Sequence, residues 1–137
     1  GFEFNGDFNL TKGSRTNPNS GPIAHIPPNF GRMEVKKASN RWEFTMFCIY
    51  SGFKDASTFD EAGVDNLDET PQSLDDNNVW HGLPGWWVLN CATQYKVSSK
   101  IKLNINFDNV FDAHYKTFGS GISAPGRSVI LSAQYKF

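Results

Sequence analysis

From Phe2 onward the apolar residues Phe2, Phe4, Phe8 and Leu10 alternate with Glu3, Asn5, Asp7, Asn9 and Thr11, and Gly6 is the single gap. A period of two is the signature of a strand that presents one apolar face. The alternation returns five times. Met33 and Val35 lie between Arg32, Glu34 and Lys36, and Trp42, Phe44, Met46, Cys48 and Tyr50 oppose Glu43, Thr45, Phe47, Ile49 and Ser51. Trp87, Leu89, Cys91 and Tyr95 then oppose Asn90, Ala92 and Gln94, and Leu103, Ile105 and Phe107 oppose Lys102, Asn104, Asn106 and Asp108. Last, Val129, Leu131, Ala133, Tyr135 and Phe137 oppose Ser128, Ser132, Gln134 and Lys136. The pattern predicts an all-β chain of about six strands without a helix.

Within these six stretches the apolar phase holds no Asp, Glu, Lys or Arg, whereas the other phase carries both signs and many amides. Such a face suits the core side of a soluble sandwich or the lipid side of an antiparallel transmembrane β-barrel. The connections favour the barrel. Short turns around Ala38-Ser39-Asn40 and over Lys96–Lys100 alternate with long links, Lys12 to Gly31, Phe53 to Gly85 and Asp112 to Arg127. Structureless links above about 15 residues are uncommon in a compact domain. An outer-membrane barrel instead has a short-turned rim, a long-looped rim and strands of about 9 to 11 residues.

The aromatics fall where two interfacial girdles belong, with Phe2, Trp42, Tyr95, Tyr135 and Phe137 toward the short-turn rim and Tyr50, Trp86, Trp87 and Phe111 toward the other. The phase therefore assigns Phe4, Phe8, Leu10, Phe44, Met46, Cys48, Leu89, Cys91, Leu103, Ile105, Phe107, Val129, Leu131 and Ala133 to lipid. Trp42, Tyr50, Trp87, Tyr95, Tyr135 and Phe137 are expected at the membrane interface. Six strands cannot close a barrel, since about eight are needed, so the chain reads as part of something larger. The alternative is a soluble all-β ligand-binding module that buries the same apolar face in a sandwich.

Composition adds limits rather than chemistry. The 137 residues make one domain, and a net charge of −1 offers no global positive field, so nucleic acid is not an expected partner. The longest apolar run, Met46–Tyr50, is far shorter than the roughly 18 residues of a spanning helix. The two cysteines exclude a disulfide-dense scaffold. If Gly52 pairs near Trp87, the antiparallel register brings Cys48 and Cys91 opposite or nearly so, as neighbouring free thiols rather than a disulfide bridge. The opening Gly1-Phe2-Glu3 reads as a processed or excised piece.

Four stretches carry a family resemblance: His25-Ile26-Pro27-Pro28-Asn29-Phe30-Gly31, Leu83-Pro84-Gly85-Trp86-Trp87-Val88-Leu89-Asn90, Asp108-Asn109-Val110-Phe111-Asp112-Ala113-His114-Tyr115, and Ala124-Pro125-Gly126-Arg127 before a strand ending in Phe137. In order and spacing they resemble the last strands of the TonB-dependent outer-membrane receptors, whose barrels have about 22 strands. The wording Gly-Ile-Ser-Ala-Pro-Gly-Arg is most similar to Bacteroides-type receptors. The resemblance implies that residues 1–137 are the C-terminal part of a barrel domain in the cell outer membrane. Such receptors import a scarce nutrient (an iron chelate, haem, cobalamin, a glycan or a peptide) with energy from TonB. It further implies as partners the rest of the barrel and its plug, TonB through an N-terminal part these residues do not include, outer-membrane lipid, and the barrel-assembly machinery through Phe137.

Site chemistry is sparse. The link Phe53 to Gly85 holds Asp55, Asp60, Glu61, Asp65, Asp68, Glu69, Asp75 and Asp76 against Lys54 alone, more than half of the chain's acids, without the spacing of a preformed calcium loop. Asp60, Glu61, Asp65, Asp68, Trp80 and His81 form the candidate ligand loop, and Trp80 could stack on a sugar or aromatic ring. His25, His81 and His114 all lie in long links without metal-ligand spacing, and for His114 a structural hydrogen bond is the expected role. Nothing matches a nucleophile elbow, a phosphate-cradling loop or opposed carboxylates, so neither catalysis nor a cofactor is expected.

Overall fold

The structure, a computed structural model, describes residues 1–16 and 21–137; residues 17–20 of the first long link lie outside this description. The strands are β1 (Phe2–Asn9), β2 (Ser14–Arg15), β3 (Gly21–Pro22), β4 (Phe30–Ala38), β5 (Trp42–Ser51), β6 (Trp86–Lys96), β7 (Ile101–Asp108) and β8 (Ser128–Tyr135). Six of them form one antiparallel sheet in the order β1-β4-β5-β6-β7-β8, and β2 and β3 pair separately. Each of the six period-two stretches is one strand of the large sheet.

Register keeps the two phases apart. One row runs Asn5–Glu34–Phe47–Asn90 and another Ala92–Asn106–Ile130, while Val35 faces Met46, Met46 faces Cys91 and Cys91 faces Phe107 on the other side. The apolar face is the more exposed one. In β5 and β7, Phe44, Met46, Leu103, Ile105 and Phe107 are exposed, whereas Glu43, Thr45, Lys102, Asn104 and Asn106 are half-buried. Among the described residues, no further strand or helix packs across that face. A sandwich would need a second layer there.

Among the described residues three hydrophobic ones are buried: Phe59, Leu83 and Val88. Two belong to the link between β5 and β6 and the third sits on the polar side of β6, so the packed core lies at the long-loop end.

Two expectations change, and the register of a third is set. β4 extends two residues beyond its alternation, to Ala38, which places Lys37 in the apolar phase opposite Phe2 and Phe44. The face is therefore not free of charge, but Lys37 is near the short-turn end and its ammonium lies 4.7 Å from the centre of the Phe2 ring, a cation–π contact. Leu10 falls beyond β1 and lines a cleft between the first two long links rather than continuing the strand's face. Trp87 pairs with Tyr50 rather than Gly52, a register shifted by two residues, so Cys48 faces Leu89, Cys91 faces Met46, and the free cysteines remain neighbours on the diagonal. A shift of two keeps the phase and changes only the partner.

Candidate functional site

The three long links are residues 10–29, 52–85 and 109–127, and they are not structureless. They hold the β2–β3 hairpin, 3-10 turns at Ala56–Thr58 and Leu67–Glu69, and bridges pairing Lys54 with Leu83 and Gln72 with Trp80. They also lock onto one another. Lys54 is the hub: it is buried, and its Nζ donates to the carbonyls of Ile26 (2.7 Å) and Thr58 (3.1 Å). The ammonium lies 4.8 and 5.0 Å from the ring centres of Phe59 and Phe118. One side chain thus touches all three links. Burial pushes its pKa below the ordinary lysine value, against the opposing pull of Asp65 and Asp60.

Asp65, also buried, accepts from the His25 backbone N–H at 2.9 Å and lies 3.1 Å from His25 Nδ1. His25 has φ +64°, a conformation this carboxylate clamp holds in place. Glu69 and Lys116 join the second and third links at 3.1 Å.

The four family-like stretches prove to be the seams where strands enter loops. Asn29 O accepts from Gly52 N at 2.7 Å. A Cβ on Gly31 would collide with the Asp7 carbonyl and approach the Tyr50 hydroxyl to 2.8 Å, so glycine is required where β1, β4 and β5 draw together. Asn109 and Asp112 both take left-handed φ, +50° and +56°, which these residue types tolerate best after glycine. The buried Asn109 side chain donates to the Ala113 carbonyl and accepts from the Ala113 N–H, both at 2.8 Å, and reaches the Pro125 carbonyl at 3.3 Å. Asp112 Oδ1 accepts from Arg127 N at 2.7 Å. The third stretch is thereby closed upon the fourth.

The structure disperses the candidate ligand loop. Asp60 and Asp65 turn inward; Asp60 accepts from Ala62 N and Asp65 binds His25, while Glu61, Asp68 and His81 stay exposed and Trp80 is half-buried. Among the described residues no three His, Cys, Asp or Glu side chains come together as a metal site, so the three histidines do not converge. His114 lines a cleft beside Trp86 and Tyr115. Trp86 leaves the expected girdle: it sits on the polar side, 4.2 Å from the Tyr115 ring centre, with its buried Nε1 lacking a partner. Trp87 stays in the apolar phase, edge-on to Phe111 at 5.6 Å, and Trp42 stacks with Tyr95 at the other end at 4.2 Å.

Sequence reasoning missed Lys54, whose only sign was a lone base after Phe53 in an acidic link. It also missed the Asn109–Asp112 clamp, whose sign was two amide or acid residues three apart at the end of an alternating run.

The polar face carries its own ladder. Gln94 Nε2 donates to Asn104 Oδ1 at 2.9 Å, and Asn104 Nδ2 donates to Ser132 Oγ at 3.2 Å, spanning three strands. Together the molecule presents a smooth apolar face, a hydrogen-bonded polar face and an interlocked loop cap at one end.

No protein-family model and no curated protein matches the chain. Among solved structures it is similar to a protein described as "Copper transporter OprC", with a TM-score of 0.74 and 17% identity over 99% of this chain. The likeness covers 21% of that protein, so this chain spans about a fifth of its length. The shared feature is the fold, an antiparallel all-β sheet of the kind that builds a barrel wall.

Proposed function

We propose that the chain is a barrel-wall segment of a TonB-dependent outer-membrane receptor that imports a scarce nutrient. The observation that carries this reading is the uncovered apolar face of the six-stranded sheet. An exposed apolar surface of this extent is tolerated where lipid covers it. In this reading the exposed apolar residues Phe44 and Met46 of β5 and Leu103, Ile105 and Phe107 of β7, with their register partners, face lipid. The rows Phe2–Trp42–Tyr95–Tyr135–Phe137 and Tyr50–Trp87–Phe111 are its interfacial girdles. The polar face looks into the lumen, and the loop cap lies on the extracellular side. The edges β1 and β8 pair with strands of the rest of the barrel, because unpaired backbone groups in hydrocarbon cost several kcal/mol each. The fold likeness to OprC and the seam motifs support the same reading. Copper is not carried over, since the described residues bring no ligand set together. The Bacteroides-type wording rests on residues 121–127 alone.

Topology tests it. In the full-length polypeptide in intact cells, an epitope beside the fully exposed Leu74 should be reached by antibody from outside. One at Ser98–Ser99 should be reached only after the outer membrane is permeabilised. Equal labelling of both would contradict the wall.

A further inference from the structure

Between the second and third links, at the start of β6, lies a cleft of about 440 Å³, within the range of about 300–1,000 Å³ typical of small-molecule sites. Part of its lining is aromatic. Trp86 and Tyr115 stack with ring centres 4.2 Å apart, and both line the cleft beside the rings of Pro71 and Pro84. The rest is polar without net charge. Glu69 and Lys116 neutralise each other at 3.1 Å, while Ser123 adds a hydroxyl and the exposed His114 an imidazole. The main chain here is already engaged. Pro71 and Pro84 have no N–H, Leu83 exchanges both its backbone groups with Lys54, and the Thr70 N–H donates to Leu67. The carbonyls of Pro71 and Tyr115 accept from His81 and Ala124.

These features select among ligand chemistries. An extended peptide binds by joining a free backbone edge, and the cleft has none to join. A ligand held through carboxylates, such as haem or an anionic iron chelate, needs a cation in surplus, and Lys116 is spent on Glu69. What remains is a neutral ring with apolar C–H faces and a belt of hydroxyls, which stacks on aromatic side chains and exchanges hydrogen bonds with donors and acceptors of either sign. We infer that the cleft seats a neutral sugar ring of a glycan on the Trp86–Tyr115 stack, its hydroxyls bound by Glu69, Lys116 and His114. The inference rests on the transporter reading and names the class of nutrient that reading leaves open. Trp86 belongs to the polar side of β6, so the sugar sits where the lumen meets the loop cap.

The test titrates the full-length polypeptide, purified in detergent, by calorimetry with four neutral trisaccharides: maltotriose, cellotriose, xylotriose and mannotriose. At least one should bind, and Trp86→Ala should weaken it about tenfold while Trp86→Phe, which keeps a ring, retains most of the affinity. His114 is exposed, so His114→Ala probes the cleft without touching its packing and should weaken the same sugar about two- to tenfold. It decides the matter where Trp86→Ala fails to fold. Binding of none of the four, binding that is unchanged in His114→Ala, or ferric citrate bound more tightly than every sugar would each overturn the inference. Recovery of the polypeptide outside the outer-membrane fraction of its own cells would strike the transporter reading instead, since the titrations report on the cleft wherever the protein resides.

Discussion

Two residues show how the loop cap is held and how its hold can be measured. Lys54 fixes three links by hydrogen bonds to two carbonyls and by contact with two aromatic rings. Lys54→Met keeps the apolar stem but leaves the carbonyls of Ile26 and Thr58 without a donor, a loss of about 1–3 kcal/mol for each acceptor left dry. Protease cleavage within residues 52–85 should therefore accelerate while strand signals persist; unchanged cleavage would remove Lys54 as the hub. Its neighbour Asp55 caps the 3-10 turn at Ala56–Thr58, and hydrogen bonds from the Ser57 hydroxyl (2.6 Å) and N–H (2.9 Å) hold its carboxyl below the ordinary value of 3.8. A folded pKa below the unfolded one gives stability that is present above pH 3.8 and lost as the pH falls from there through the lower folded value. The hydrogen-exchange protection factor of the Ser57 N–H should drop across that window, and Asp55→Asn should abolish the dependence.

At the scale of elements, the face a side chain occupies matters more than its identity. In the full-length polypeptide folded in liposomes, Leu103→Arg should cost roughly 2–4 kcal/mol if the position lies near the midplane, whereas Asn104→Arg, one residue away and on the opposite face, should be tolerated. Urea unfolding that found the reverse would exchange the inside and the outside of the sheet. This alternation was fully legible in the sequence, because period two is written into β1, β5, β7 and β8 by side chains that differ sharply in polarity. β2 and β3 were not, since two residues cannot show a period. The pairing of β5 with β6 was legible in phase but not in register. Their 34-residue connection, 52–85, sets no turn geometry, and the side chains of Cys48 and Cys91 suit a diagonal place as well as a direct one. Lys37 lies past the readable alternation, which ends at Lys36, while the strand continues to Ala38. The cap was illegible for a different reason. Asp60 and Asp65 have the composition of solvated loop residues; His25 arrives at Asp65 from the first link, and Lys54 of their own link sets a buried ammonium near both.

For the molecule as a whole, the central claim is that the more exposed, apolar side of the sheet meets lipid and the polar side meets water. Single nitroxide labels at positions 102 to 107 of the full-length polypeptide in bilayers measure this directly, through relaxation by oxygen, which partitions into lipid, and by a water-soluble nickel chelate. Labels at 103, 105 and 107 should respond to oxygen and those at 102, 104 and 106 to the chelate, with strict alternation along β7. Chelate access at 103, 105 and 107, or a uniform response along the strand, would contradict the account.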